Sequence, residues 1–154
     1  MKSIIFSTIL FVNVLVSSCI HAQTTFSRSD IEKTIKDFYI EYCNIWNNTP
    51  NSVPATLLHE KIDSLAQKYC TNQIRNDSKE WFADGHELFT NDYGIVRESL
   101  NSFSVKADST KNNLYTITYI TINPDASNKP VRQKVVLHVS VVKEKDNYKI
   151  NKVK

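Results

Sequence analysis

The sequence predicts an α+β domain in which three N-terminal helices pack on a four-stranded antiparallel meander sheet. From residue 29 to residue 83, apolar residues recur at steps of three and four, which is the period of an amphipathic helix. From residue 100 onwards they alternate with polar residues, as in half-buried strands. Helices followed by such a sheet form an α+β domain, and a strongly twisted sheet predicts a half-open cone.

The first helix is predicted to begin at the capping box Ser29–Glu32, in which the serine and glutamate side chains bond each other's backbone amides. It should end before Pro50, because proline disfavours helical geometry at Thr49. One broad apolar stripe joins these ends. Its members are Ile31, Ile35, Phe38, Tyr42, Ile45 and Trp46.

Two further helices are predicted between Pro54 and Gly85. Pro54 suits the first turn of the second helix, whose apolar stripe runs to Cys70. Thr71 is the expected cap of the third helix, and the pair Asp84-Gly85 should end it. The segment 86–94 fits neither period and is therefore interpreted as a loop, with Leu88 and Phe89 packed against the core.

Four strands are predicted in the C-terminal half, separated by clusters of turn-forming residues. They are Leu100–Ala107, Leu114–Asn123, Val131–Lys143 and Asn147–Val153. In the third strand, Val135, Leu137 and Val139 share one face, whereas the opposite face mixes polar and apolar residues. We therefore expect helices on one side of the sheet and a partly exposed surface on the other.

Residues 1–22 resemble a secretory signal peptide, which leaves residues 23–154 as a single domain. This segment has one basic side chain, Lys2, followed by an apolar run that is shorter than a transmembrane helix. Val16–Cys19 resembles a bacterial lipobox, so Cys19 is the predicted lipidation site. Cleavage after Ala22 is the alternative. The sequence thus predicts a cell-envelope protein in the periplasm, either lipid-anchored or secreted and soluble.

The net charge indicates which partners to expect, and the cysteine count indicates a possible disulfide. The formal net charge of +3 is spread without basic runs, so no nucleic-acid partner is predicted, and the only expected membrane contact is the acyl anchor. Cys43 and Cys70 form an even pair in an oxidising compartment and are predicted to form a disulfide, with buried free thiols as the alternative.

Four stretches of the mature chain resemble the DUF3828 proteins, a family of small envelope proteins of the Bacteroides group. These stretches are the Phe38–Tyr42 motif, Leu65–Thr71, the Leu88–Asp92 loop and Asn147–Val153. The resemblance implies an NTF2-like, also called cystatin-like, cone. It transfers no catalytic residue, because the family carries no established activity. A homodimer formed through the sheet is compatible with this fold.

Several side chains are candidates for a pocket or a partner-binding surface. Asp84, His86, Glu87 and Asp92 form the densest titratable cluster, on a loop that could hold an acid-base pair at the cone mouth. Solvated loop charges are the alternative. The aromatic and imidazole candidates, which could equally be core residues, are Trp46, Trp81, Tyr93, Tyr119 and His138.

No cofactor or metal site is predicted, since the pair His59-Glu60 is followed by Asp63 where a zinc-protease motif requires its second histidine. No catalytic residue is assigned. The sequence favours a non-enzymatic domain that binds a protein partner or a small ligand, and a small hydrolase or isomerase acting at the cone mouth is the alternative.

Overall fold

The computed structural model describes residues 27–50 and 52–154, and this part of the chain has the predicted α+β class. Three α-helices precede a four-stranded antiparallel sheet, and a 3-10 helix lies between them at Arg97–Ser102. The helices are α1 Arg28–Asn48, α2 Ala55–Tyr69 and α3 Asn72–Ala83. The strands are β1 Ser104–Ala107, β2 Leu114–Pro124, β3 Pro130–Glu144 and β4 Asn147–Val153.

The sheet is a meander with the strand order β1-β2-β3-β4. The long central pair aligns Ile117 with Leu137, and every strand runs antiparallel to its neighbour. Side chains alternate along β3 as predicted, with Val135, Leu137 and Val139 buried and the residues between them mostly exposed. A register shift at Ser140 lets the short strand β4 follow the twisted end of β3.

The hydrophobic core lies between α1 and the inner face of the sheet. Phe38 and Tyr39 on α1 are fully buried, and the Phe38 ring packs edge-on against Phe89 with centroids 4.9 Å apart. Burial of each such side chain contributes about 1.5 to 3 kcal/mol. Leu88 and Phe89 pack into this core, as predicted for the loop that carries them.

Two predicted boundaries are wrong. α1 is capped by Ser27 rather than Ser29, since the Ser27 Oγ accepts a hydrogen bond from the Asp30 amide at 3.4 Å. Residues 100–102 belong to the 3-10 helix, whereas the sequence predicted the start of a strand. A buried Ser99 stabilises that helix, because its Oγ accepts a hydrogen bond from the Val96 amide at 3.3 Å.

The predicted disulfide is corrected by the structure, in which Cys43 and Cys70 are buried free thiols. The Cys43 Sγ accepts a hydrogen bond from the side-chain amide of Asn47 at 3.2 Å, and the same amide group also donates to the carbonyl of Ile95. Cys70 instead pairs through its backbone with Ile150 in β4, at one edge of the sheet. The two thiols therefore have different neighbours.

The predicted signal peptide, its lipobox and Cys19 lie outside the described residues. Within residues 27–50 and 52–154, no helix combines the length and the apolar character needed to cross a membrane.

Candidate functional site

Residues 85–96, called here the cavity loop, leave α3 through a tight helix ending. Gly85 adopts a left-handed conformation with φ of 81°, and the His86 amide donates to the Trp81 carbonyl at 2.8 Å. The Gly85 amide donates to the Phe82 carbonyl at 3.0 Å, which completes a Schellman motif. The predicted stop at Asp84-Gly85 is thereby confirmed, and the chain turns back so that His86 and Glu87 face the helices.

The Glu87 carboxylate organises the first half of the cavity loop. Its Oε2 accepts hydrogen bonds from the Thr90 amide at 2.8 Å and the Thr90 hydroxyl at 2.7 Å, and its Oε1 accepts from the Phe89 amide at 3.2 Å. The Glu87 amide in turn donates to Asp92 Oδ1 at 2.6 Å. Asp92 has φ of 63°, a conformation in which its side chain can reach back to the loop.

Long-range hydrogen bonds hold this loop against the helix and the sheet. Four side chains donate to its backbone carbonyls: Tyr39 to Phe89 at 2.8 Å, Tyr119 to Gly94 at 3.0 Å, Asn123 to Tyr93 at 3.2 Å and Asn47 to Ile95 at 3.3 Å. One of these hydrogen bonds is buried and three are partly buried, so the loop is held in position by partners on both the helix and the sheet.

An open cavity of about 480 Å³, called here the main cavity, lies between this loop and the ends of the helices. Its volume falls in the range of small-molecule sites, about 300 to 1,000 Å³. The aromatic part of the wall consists of Tyr42, Trp46 and Phe82. The polar part consists of His86, Glu87, Thr90 and Asp92. Ala55, Ile95 and Val96 add apolar surface, and Gly85 and Gly94 complete the wall.

Two titratable groups at the wall, the Glu87 carboxyl and the His86 imidazole, interact with neighbouring side chains. Burial raises the pKa of the Glu87 carboxyl, while hydrogen bonds from Thr90 and Tyr42 oppose that shift. At the rim, His86 Nδ1 lies 2.9 Å from Asp92 Oδ2. Since an ionised carboxylate only accepts hydrogen bonds, we assign the proton of this contact to Nδ1. The arrangement can hold a polar group of a ligand against an otherwise apolar wall.

Six of the nine candidate residues line one of two cavities that share His86 and Asp92. Trp46, His86, Glu87 and Asp92 line the main cavity. Trp81 and Asp84, together with His86 and Asp92, line a neighbouring cavity of about 290 Å³.

The other three candidates, Tyr93, Tyr119 and His138, lie outside the walls of these two cavities. Tyr93 is partly buried against the hydrophobic core. Tyr119 is buried beneath the cavity loop and holds its backbone at Gly94. His138 is exposed on the outer face of the sheet, 3.4 Å from the Thr116 hydroxyl. A strand's period shows which residues share a face but not which face is covered, so His138 could not be assigned from its spacing.

Sequence reasoning missed Tyr42, Phe82 and Thr90 as wall residues and named Glu87 only as a member of a charged cluster. A signal for Glu87 was present, because this charged residue directly precedes the apolar pair Leu88-Phe89, which had to be buried. No cluster of metal-binding side chains occurs among the described residues.

The fold is shared with a solved structure. A crystal structure of a protein of unknown function from Bacteroides thetaiotaomicron is similar to this chain, with a TM-score of 0.66 and 18% sequence identity. The match covers 82% of this chain and 90% of that chain. No family model and no curated protein matches the chain. The comparisons therefore establish an architecture that this chain has in common with that protein.

Proposed function

We propose that this protein binds a small, mainly apolar ligand in the main cavity and that binding does not require catalysis. The observation that carries the proposal is the cavity itself, which has a volume of about 480 Å³ and combines three aromatic rings with a few convergent polar groups. Small-molecule sites have this composition. The cavity loop is held by long-range hydrogen bonds from the helix and the sheet, so the site is formed before a ligand arrives.

The proposal includes the location and the family expected from the sequence. A signal peptide ending in a lipobox at Cys19 would place the domain in the cell envelope as an anchored lipoprotein, and cleavage after Ala22 would release it into the periplasm. An NTF2-like protein of the DUF3828 type is in keeping with the confirmed α+β class. Intact mass measured on protein from its native envelope tests the location, since only acylated protein starting at Cys19 supports the anchor.

Ligand binding can be followed through the two glycines of the chain. Both Gly85 and Gly94 line the main cavity, and glycine amides resonate in a separate region of a nitrogen-proton correlation spectrum. We expect small aromatic compounds to shift both resonances in a saturable manner. The variant Ala55→Trp, which places an indole at the cavity wall, should abolish these shifts.

A matched control for this variant is Ala83→Trp, at an exposed position outside the cavity wall. It should leave ligand binding intact. If a chemically diverse panel of aromatic compounds moves neither glycine resonance, or if both tryptophan variants behave alike, small-ligand binding in the main cavity is wrong.

The second candidate function is acid-base chemistry by a small hydrolase or isomerase. The observation that favours it is the contact of 2.9 Å between His86 and Asp92 at the rim, next to the Glu87 carboxyl whose pKa is raised by burial. It predicts turnover of ester or ketone probes that fit the cavity, with activity lost in His86→Gln and retained in His138→Gln. Equal residual rates in the two variants would contradict catalysis at the rim.

A further inference from the structure

The main cavity has an unbalanced set of charges. Its wall contains the carboxylates of Glu87 and Asp92 and the imidazole of His86. Among the residues that the structure describes, no lysine or arginine lines it. Arg97 directly follows the wall residue Val96 in the sequence, but its guanidinium donates to the Asn48 side chain at 2.9 Å. The wall is therefore formally negative whether or not His86 is protonated, and it offers an anionic ligand no lysine or arginine.

The aromatic part of the wall complements this charge. Tyr42, Trp46 and Phe82 contribute to the same cavity, and the Tyr42 and Trp46 ring centroids lie 6.2 Å apart. Behind the cavity, the Phe82 ring stacks on His59 with centroids 4.4 Å apart, and this contact fixes its orientation. Aromatic faces attract organic cations through their quadrupoles, and tryptophan does so most strongly.

The Asp92 carboxylate retains capacity for a further donor. Glu87 accepts three hydrogen bonds from Phe89 and Thr90 and one from Tyr42, so it contributes its negative charge rather than a free acceptor site. Asp92 accepts one hydrogen bond from the Glu87 amide besides its contact with His86, and since a carboxylate has about four lone-pair sites it can accept one more. An ammonium group supplies such a donor together with the missing positive charge.

From this arrangement we propose that the ligand is an organic ammonium ion with an apolar body, held between the aromatic rings and the Glu87 and Asp92 carboxylates. This assignment rests on the proposed function, because it names the chemical class of the ligand for the same cavity. It also separates this cavity from sites that bind carboxylates or phosphates, which use arginine or lysine at the wall.

The test compares three probes that share a phenylethyl body and differ in charge: phenethylamine, phenethyl alcohol and hydrocinnamate. Each is titrated while the Gly85 and Gly94 amide resonances are followed. We expect the amine to bind at least about tenfold more tightly than the alcohol, in line with one cation-aromatic contact and one ionic hydrogen bond, and hydrocinnamate to bind most weakly.

Two variants locate the source of this preference. Glu87→Gln and Asp92→Asn should each bring the ratio of the amine affinity to the alcohol affinity close to one. Asparagine tolerates the left-handed backbone of Asp92, so this variant tests the proposal even if the change at Glu87 disturbs the loop. The control is Asp84→Asn, which removes an equal charge outside the main cavity and should keep the preference.

The outcomes test the class of the ligand and the existence of the binding site separately. Equal or tighter binding of the alcohol or of hydrocinnamate to the unmodified protein overturns the ammonium assignment and leaves the cavity as a binding site. If Asp84→Asn loses the preference for the amine to the same extent, that preference comes from general surface charge, and the ammonium assignment is again overturned. Failure of all three probes to move either glycine resonance counts against the proposed function, and with it against the ligand class.

Discussion

At the scale of single residues, Asp63 joins two helices through a compact ion cluster. Its carboxylate accepts hydrogen bonds from the Arg75 guanidinium at 2.7 and 2.6 Å, and the Lys79 ammonium lies 3.1 Å away. The Arg75 hydrogen bonds, assisted by Lys79, lower the pKa of Asp63 to about 2. Because the bidentate geometry fixes both partners, this cluster should stabilise the packing of α2 against α3 more than an isolated surface pair would.

The change Asp63→Asn should reduce the free energy of unfolding by about 1 kcal/mol at neutral pH. Since the pKa in the folded state lies below its ordinary value of 3.8, the cluster stabilises the fold above that pH. The stabilisation is lost as the pH falls towards 2, where the variant and the unmodified protein should converge. Urea denaturation of both proteins across this range measures the difference.

The control for this prediction is Asp77→Asn, a carboxylate on the exposed face of α3, the helix that carries Arg75 and Lys79; no ion pair of Asp77 occurs among the described residues. Its stability should follow that of the unmodified protein at every pH. A constant deficit of Asp63→Asn down to pH 2 would contradict the ionic origin, because packing losses do not titrate.

At the scale of elements, the parts of the fold that could be predicted are those in which apolar residues repeat with a single helix or strand period. The stripe on α1 and the alternation along β3 gave the correct elements, because a continuous core covers one face of each. The first strand was predicted too long. Residues 100–102 alternate like a strand, but the buried Ser99 hydroxyl and the Leu100 carbonyl close a 3-10 helix instead.

The cavity loop shows why the site was predicted only in part. Its residues were recognised as titratable and as lying near the cone mouth, yet its shape depends on side chains far away in sequence. Tyr39 lies 50 residues before Phe89, to whose carbonyl it donates a hydrogen bond. Tyr119 lies 25 residues after Gly94, to whose carbonyl it donates. A local pattern contains no information on such contacts, so it could not show that Glu87 faces the cavity while Tyr119 lies beneath the loop.

At the scale of the whole molecule, the helices leave the outer face of the sheet uncovered in the described chain. Ile122 and Val136 are exposed there to 44% and 45%. Basic side chains accompany them, since Lys106, Arg132 and Lys134 occupy outward positions. β1, β2 and residues 130–143 of β3 contain no acidic residue. This face therefore combines apolar area with positive charge.

A homodimer through this face would bring like charges together, so we expect the mature domain to be a monomer at low salt. A stable dimer buries about 800 Å² on each partner, an area that would have to include the basic side chains. Their repulsion is screened only when the Debye length falls to about 3 Å, near 1 M salt. Sedimentation equilibrium at low and high salt measures this, with Lys134→Glu as the variant that weakens the repulsion. A dimer at low salt that Lys134→Glu leaves unchanged would show that charge on this face does not control association.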